Sequence, residues 1–211
     1  MTQRLFWKDS NTVGRLQRHL RDGKAVISST DTVFGLLTDT SKQGFDTLNV
    51  IKKRAKKPYL ILIGSKKQAL SFICTPILLQ IEKIMESCWP GPVTLICKAR
   101  NDLPDYMRSQ QGTVGLRMPD HEGLLKLLGC FDGLFSTSAN LSGKPVPLTV
   151  DELDEQILNQ VEYLVLDEEK DMPVGALPST ILDCSQQISV IREGAFPIKE
   201  IEARAGITIK K

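Results

Sequence analysis

The sequence predicts an α/β domain built around a mixed sheet, and three observations support this fold class. Helical and strand-like patterns alternate along nearly the whole chain. Hydrophobic residues make up 41% of the 211 residues and charged residues 25%, a balance that allows a real core and argues against disorder. Because no internal repeat, low-complexity tract or linker interrupts the alternation, we expect one domain over residues 1–211 and no second domain.

Helices are predicted where apolar residues recur every three or four positions between start and stop signals. The clearest example starts at Thr75, whose hydroxyl suits an N-cap, with Pro76 in the first turn. The run from Trp89 to Pro92 ends this helix, because proline and glycine break the helical pattern. The predicted helices cover 12–21, 41–53, two segments between 64 and 88 of which the second starts at Thr75, 122–129, 150–160 and 197–204.

Strands are predicted from short apolar runs bounded by turn residues. Two of these runs lead directly into hydroxyl-rich loops, and the loops that leave strand ends are where α/β sheets commonly bind ligands. The predicted strands cover 25–28, 34–37, 59–63, 93–97, 113–118, 134–136, 162–166, 180–183 and 188–192.

Composition narrows the possible function classes. A net charge of +2 and a sequence pI near 8.2 are too mild to identify a nucleic-acid-binding protein. Five cysteines without Cys-x-x-Cys spacing argue against a zinc site and a disulfide framework, and they predict reduced thiols, most of them small core residues. The N-terminus lacks a signal-peptide pattern and no apolar run is long enough to span a membrane, so we expect a soluble cytoplasmic protein.

Four segments combine polar or charged residues beyond what a core or a solvated face requires. In two of them, small hydroxyl and amide residues would let a ligand approach the backbone closely. The same residues also suit ordinary turns that satisfy their own backbone groups, and this alternative stays open. The segments are 28–35, 52–57, 112–119 and 136–145.

The segment 52–57 has five positive side chains among six residues, at the end of a predicted helix. Three interpretations remain open for these charges. They can interact favourably with the helix dipole at a solvated helix end, cradle a polyphosphate, or contact nucleic acid.

Arg117 and Arg192 both occur in strand-like segments, where a buried guanidinium requires an anion or must extend to solvent. Glu193 is not expected to pair with Arg192, since adjacent strand residues face opposite ways. We expect His19 to be exposed on a charged helix and His121 to cap a helix. Because the spacing supports no catalytic triad, carboxylate pair or metal-ligand set, neither covalent catalysis nor a protein metal site is predicted.

In their order and spacing, these segments and three others resemble the YrdC family, also called threonylcarbamoyl-AMP synthases. The family pattern runs Pro-Thr-Glu-Thr-x-Tyr-Gly, Lys-x-Arg, Trp-Pro-Gly-Pro-x-Thr, Arg-x-Pro, Ser-Ala-Asn-x-Ser-Gly, Ser-Thr-x-x-Asp and Ile-x-Arg-x-Gly. Each motif alone is weak, but all of them in order are specific, and the resemblance covers about residues 23–196. The corresponding segments here are 29–35, 52–54, 89–94, 117–119, 138–143, 179–183 and 191–194.

The resemblance implies a YrdC-like fold, a twisted mixed open sheet flanked by helices with a basic concave cleft. It implies a nucleotidyltransferase that converts L-threonine, bicarbonate (or CO2) and ATP to threonylcarbamoyl-AMP and pyrophosphate. The product would pass to a downstream tRNA threonylcarbamoyl transferase complex that makes N6-threonylcarbamoyladenosine. Mg2+ is implied as a cofactor, bound mainly through ATP phosphates and water.

The resemblance also assigns roles to nine residues by motif position. Lys52 and Arg54 are the expected catalytic residues, since they would hold the ATP phosphates. Threonine would be bound by Thr30, Arg117 and Ser136, with Arg117 taking its carboxylate. The other expected ATP contacts are Thr113, Ser138, Asn140 and Arg192, of which the last would close over the nucleotide.

Four positions depart from the family pattern, and the stretch before Pro58 is one residue short. Three of the four lie in the expected threonine loop, so that site is altered more than the ATP site. The basic segment 52–57 keeps open an alternative, a YrdC-like protein that binds tRNA or double-stranded RNA without catalysis. A related carbamoyl-adenylate enzyme with another acceptor is a further alternative. The departures are Ser29 for Pro, Asp31 for Glu, Phe34 for Tyr and Ala55 for Pro.

Overall fold

The computed structural model describes residues 2–53, 58–74, 76–167 and 176–209. Over these residues, ten strands join into one sheet. The strands are β1 Gln3–Phe6, β2 Val26–Ser28, β3 Gly35–Asp39, β4 Leu60–Leu62, β5 Val93–Lys98, β6 Thr113–Arg117, β7 Leu134–Ser138, β8 Tyr163–Leu166, β9 Thr180–Asp183 and β10 Ser189–Arg192.

Helices flank this sheet, and a short 3-10 helix lies at Asp105–Met107. Within the described residues, no helix combines the length and apolar composition needed to cross a membrane. The α-helices are α1 Thr12–Arg21, α2 Lys42–Lys52, α3 Lys66–Ala69, α4 Leu79–Cys88, α5 Glu122–Leu128, α6 Glu155–Leu158 and α7 Ile198–Ala205.

The sheet is mixed, as the alternating sequence pattern predicts. Its strand order is β1-β8-β2-β3-β7-β4-β6-β5-β9-β10. The pairs β1/β8, β2/β8, β4/β6 and β5/β9 are parallel, and the other five pairs are antiparallel. Parallel pairs need crossover connections rather than tight hairpins, and helices pack on both faces of this sheet.

Alternating side chains divide the core between the two faces of the sheet. On one face, residues such as Leu36, Ile61 and Phe135 pack with the apolar sides of α2, α4 and α7. On the other face, Leu37 and Leu134 pack with α1 and α5. The helices that contribute to this second, smaller cluster are α1 and α5. Loops and polar side chains, described below, line much of the same face.

One strand is missed by the sequence pattern, and the bounds of two helices are wrong. The chain starts with an edge strand, β1, which the pattern does not predict because its residues Gln3 and Arg4 are exposed. The helix predicted from Thr75 starts at Leu79, while Thr75 itself lies outside the described residues. The helix predicted at 150–160 shortens to α6, which Asp154 caps by accepting from the Gln156 N–H.

His19 is buried, contrary to the expectation of solvent exposure. Its side chain lies on the α1 stripe that also buries Leu16 and Leu20, and only 7% of the residue is exposed. The ring lies 4.7 Å from the ring of Tyr163, and Nε2 is 3.3 Å from the Ala25 carbonyl oxygen. The neighbouring arginines suggest a solvated helix face, but only Arg18 and Arg21 are exposed, while Arg15 lies over the same Tyr163 ring as His19.

Burial lowers the pKa of His19 below its ordinary value. The unfolded chain therefore binds more protons at this residue, so His19 reduces stability as the pH falls below about 6.5 towards the folded-state pKa. We expect the free energy of unfolding, measured with urea at pH 7.5 and 5.5, to fall less in His19→Gln than in the wild type. Arg18→Gln, at an exposed neighbour, keeps the wild-type difference. An unchanged pH dependence in His19→Gln would contradict the assignment.

Candidate functional site

The strand register sets a row of side chains across the more open face of the sheet. Leu62 of β4 is paired with Arg117 of β6. Leu95 of β5 is paired with Leu116 of β6, so the next step in that register sets Thr94 opposite Arg117. Thr94 is paired in turn with Ile181 of β9, which is paired with Arg192 of β10. Because paired residues in neighbouring strands point to the same face, the register itself brings the two arginines to one surface.

A cavity of about 360 Å³ opens over this row, within the size range of ligand sites. The loop between β2 and β3, the end of β7 and the segments before β4 and β9 frame it. Its lining includes five of the nine residues that the family motifs single out. These are Thr30, Arg117, Ser136, Ser138 and Arg192.

Arg117 is buried with a carboxylate partner from the chain itself. Its side chain is 5% exposed, and its Nη2 donates to Asp31 Oδ1 in an ion pair. Nη1 donates to Thr32 Oγ1 at 2.9 Å, and Asp31 Oδ2 accepts from the Asp120 N–H at 3.1 Å. Burial lowers the pKa of Arg117, and Asp31 opposes that shift. The anion that a buried strand arginine requires is therefore supplied internally by Asp31.

Thr30 lines the cavity, but its hydroxyl also holds the turn together. Its Oγ1 donates to the Val33 carbonyl oxygen at 2.7 Å and accepts from the Thr32 N–H at 3.0 Å. Thr30 therefore satisfies backbone groups of its own turn, which is the alternative left open for this segment. The turn that it stabilises holds Asp31 and Thr32 against Arg117.

Lys52 lies beneath the loop that follows β7 rather than in the cavity lining. It is the last residue of α2 and is 3% exposed. Its Nζ donates to the Ser138 carbonyl oxygen at 2.8 Å, to Asn140 Oδ1 at 3.0 Å and to the Asn140 carbonyl oxygen. Lys52 therefore fixes the loop that carries Ser138 and Asn140, while Arg54 lies outside the described residues.

Thr113 is not brought together with the other predicted ATP residues. It starts β6, whereas Arg117 ends that strand, and an extended chain rises about 3.3 Å per residue. Its hydroxyl lies 2.7 Å from Ser109 Oγ, and it borders a different groove, shared with Lys98 and Ile191. Its expected contact with ATP stays a prediction.

Two buried hydroxyls at the cavity were missed as site residues. Thr94 Oγ1 and Ser179 Oγ lie 2.8 Å apart, and both residues are buried. The Ser179 carbonyl oxygen accepts from Arg192 Nη2 at 2.8 Å, which holds the exposed guanidinium over the cavity. Thr94 ends one family motif and Ser179 begins another, so their motif positions are the sequence signal that marks them as candidate site residues.

Gly194 allows the segment after β10 to lie directly on the start of β9. A Cβ at this position would stand 2.1 Å from the Pro178 carbonyl oxygen, and its own N–H donates to Thr180 Oγ1 at 2.8 Å. Glu193 accepts from the Ile198 N–H at 2.9 Å and does not pair with Arg192. This close backbone contact fixes β10 relative to Ser179.

A protein-family model, Sua5_yciO_yrdC, described as "Telomere recombination", matches residues 18–194. The chain belongs to the Sua5/YciO/YrdC family. This match confirms the family that the motifs indicate, and it covers both arginines of the cavity.

Named relatives and solved structures agree with this family. A putative threonylcarbamoyl-AMP synthase of Methanocaldococcus jannaschii is 33% identical over 193 residues, covering 88% of this chain and 87% of that protein. The structure of Pyrococcus abyssi Sua5 complexed with L-threonine matches with a TM-score of 0.86 at 27% identity, covering 100% of this chain but 62% of that one. Escherichia coli YciO matches with a TM-score of 0.82 at 19% identity, covering 95% of this chain and 100% of that one. The last match concerns the fold alone.

The Arg117–Asp31 pair is testable by its contribution to stability. Asp31→Asn leaves a buried guanidinium without its counter-charge, which typically costs about 3 kcal/mol or more. We expect that loss in denaturant unfolding, and we expect the double variant Asp31→Asn/Arg117→Met to be less destabilised than the two single variants added together. Asp102→Asn, at the exposed Arg100–Asp102 pair, serves as the control and leaves stability unchanged. Strict additivity of the two single effects would contradict the coupling.

Proposed function

We propose that this protein is a threonylcarbamoyl-AMP synthase. It would convert L-threonine, bicarbonate (or CO2) and ATP to threonylcarbamoyl-AMP and pyrophosphate, for N6-threonylcarbamoyladenosine formation in tRNA. The observation that carries this proposal is the cavity itself, which gathers all three expected threonine residues with Ser138 and Arg192. The family membership and the likeness to synthases from other organisms support the same reaction.

Threonine would bind with its carboxylate at Arg117. An arginine has five N–H donors, and Asp31 and Thr32 accept from two of them, so a second carboxylate can share the guanidinium. Ser136 lines the same cavity, and its hydroxyl would orient the substrate's polar groups. The carboxylate contact would then hold the amine in one direction, which is the main requirement for its carboxylation.

ATP would lie between the loop after β7 and the end of β10. Ser138 and Asn140 lie on a loop that Lys52 fixes from below. The Ser138 hydroxyl donates to Asn140 Oδ1 and the Asn140 amide donates to the Lys144 carbonyl oxygen, so the second amide N–H of Asn140 is the donor that would meet the nucleotide. Arg192 is exposed at the opposite side and would close over the nucleotide. Further positive charge would come from Arg54, which the family pattern assigns to the phosphates.

The charged lining side chains, Arg117 and Arg192, suit anions rather than a metal ion. Among the residues that the structure describes, no group of three or more His, Cys, Asp or Glu side chains is placed to hold a metal. Mg2+ would therefore be held by the ATP phosphates and water, where it would neutralise part of their charge.

The chemistry requires alignment rather than an enzyme nucleophile. The threonine amine takes up CO2 and loses a proton to give a carbamate. A carbamate oxygen then attacks the α-phosphorus, the bond from that phosphorus to the bridging oxygen breaks, and pyrophosphate leaves. Arg117 would keep the amino acid oriented and Arg192 would stabilise the charge on the phosphates. The product would pass to the tRNA threonylcarbamoyl transferase complex in the cytoplasm.

The RNA-binding alternative rests on segment 52–57. Residues 54–57 of that segment lie outside the described part of the chain, so no described observation favours this alternative over the synthase.

Pyrophosphate release tests the reaction directly. With ATP and Mg2+ present, we expect release only when both L-threonine and bicarbonate are supplied, because the carbamate forms from both. Release without either one, or no release under any of these conditions, would count against the synthase. Titration with tRNA at increasing salt concentration would then test the RNA-binding alternative.

The role of Arg117 predicts a selective loss. A charge-assisted contact contributes about 1.5–3 kcal/mol, so Arg117→Ala should raise the KM for threonine tenfold or more while the KM for ATP changes little. Arg117→Lys keeps a cation beside Asp31 but loses the planar guanidinium, and we expect an intermediate loss from a folded protein. Arg100→Ala, at an exposed arginine, serves as the control. Equal losses for threonine and ATP would contradict the assignment.

A further inference from the structure

Two cysteines lie side by side at the end of a pair of parallel strands. In the β5/β9 pair, Ile96 is opposite Asp183, and the Cys184 N–H donates to the Ile96 carbonyl oxygen at 2.7 Å. One step further in the same register sets Cys97 opposite Cys184. Both residues are 3% exposed and belong to the same core cluster, so their side chains lie on the same face.

The two thiols are close enough to interact. The Cys97 thiol, together with burial, raises the pKa of the Cys184 thiol. Neighbouring strands are about 4.8 Å apart, which falls inside the range of about 4.4–6.8 Å between the Cα atoms of a disulfide. The backbone positions therefore allow a disulfide without separating the strands.

A second cavity, of about 250 Å³, reaches both cysteines from the surface. Cys74 also lines it and is exposed, and Leu78 at its border is 54% exposed. The thiol pair is thus covered by protein yet open to a small molecule. This cavity is lined by a different set of residues from the candidate functional site.

We propose that Cys97 and Cys184 form a dithiol that hydrogen peroxide converts to an intramolecular disulfide. One sulfur of the pair attacks a peroxide oxygen as its thiolate, the O–O bond breaks, and the hydroxide that leaves takes a proton to become water. The other sulfur then attacks the sulfenic acid sulfur, loses its proton, and expels a second water. Two thiols and one peroxide thereby give one disulfide and two waters.

The disulfide would join β5 to β9 and close a long loop of the unfolded chain, which stabilises the folded state.

Peptide mapping of the wild-type protein tests this proposal. The full chain is reduced, freed of reductant, treated with hydrogen peroxide, quenched with catalase and alkylated after unfolding. We expect a cross-linked peptide pair containing Cys97 and Cys184, a mass loss of two hydrogens, and a rise in Tm of about 5 °C that dithiothreitol reverses. Recovery of both cysteines as alkylated thiols, after treatment that oxidises the exposed Cys74, overturns the proposal. Recovery as sulfinic acids or in disulfides with other cysteines overturns it as well.

Matched variants separate this pair from general cysteine oxidation. Cys88 is 2% exposed on α4, so Cys88→Ala should keep both the disulfide and the rise in Tm. Cys184→Ala should leave Cys97 without a partner and abolish the peroxide-dependent rise in Tm. Cys74→Ser removes the exposed thiol and should keep the cross-linked peptide. If Cys184→Ala does not fold, the wild-type peptide map alone decides the outcome.

Discussion

The buried guanidinium of Arg117 is the constraint on which the site depends. Placing this charge on the face of the sheet requires a carboxylate, and Asp31 provides it from the loop between β2 and β3. That pairing fixes the loop, because Asp31 is held in turn by the Asp120 backbone and Thr30 closes the turn around it. A substrate carboxylate would therefore enter a site in which the positive charge is already partly compensated.

A second buried cation organises the loop that follows β7. Lys52 ends α2 and binds oxygens of Ser138 and Asn140, so the end of a helix supports the loop that follows a strand. Both buried cations thus contribute first to the shape of the cavity. Arg192, which is exposed and tethered through its donors to Ser179, is the cation with most freedom to meet a ligand.

Much of the fold could be predicted because segments with a strong hydrophobic period form the helix or strand that the period indicates. The failures have physical causes: the edge strand β1 buries too little to show a pattern, and His19 faces the core although its helix is rich in arginine. For the site, the order of the family motifs singles out the two arginines and the three hydroxyl residues that line the cavity. It did not identify Asp31 as the partner of Arg117, since a contact across 86 positions depends on how the β2–β3 loop lies against β6.

The row of paired residues across the sheet has a mechanical consequence. Arg117 and Arg192 lie on strands separated by β5 and β9, with no shared loop to fix their spacing. Strand twist accumulates by about 20–25° per neighbour, so it rotates one guanidinium relative to the other. The helices packed on the far face of the sheet hold that twist. The core packing beneath the site thereby sets the distance between the two guanidinium groups. Repacking this core would change the length of anion that can contact both arginines, although no residue that contacts the anion would be altered.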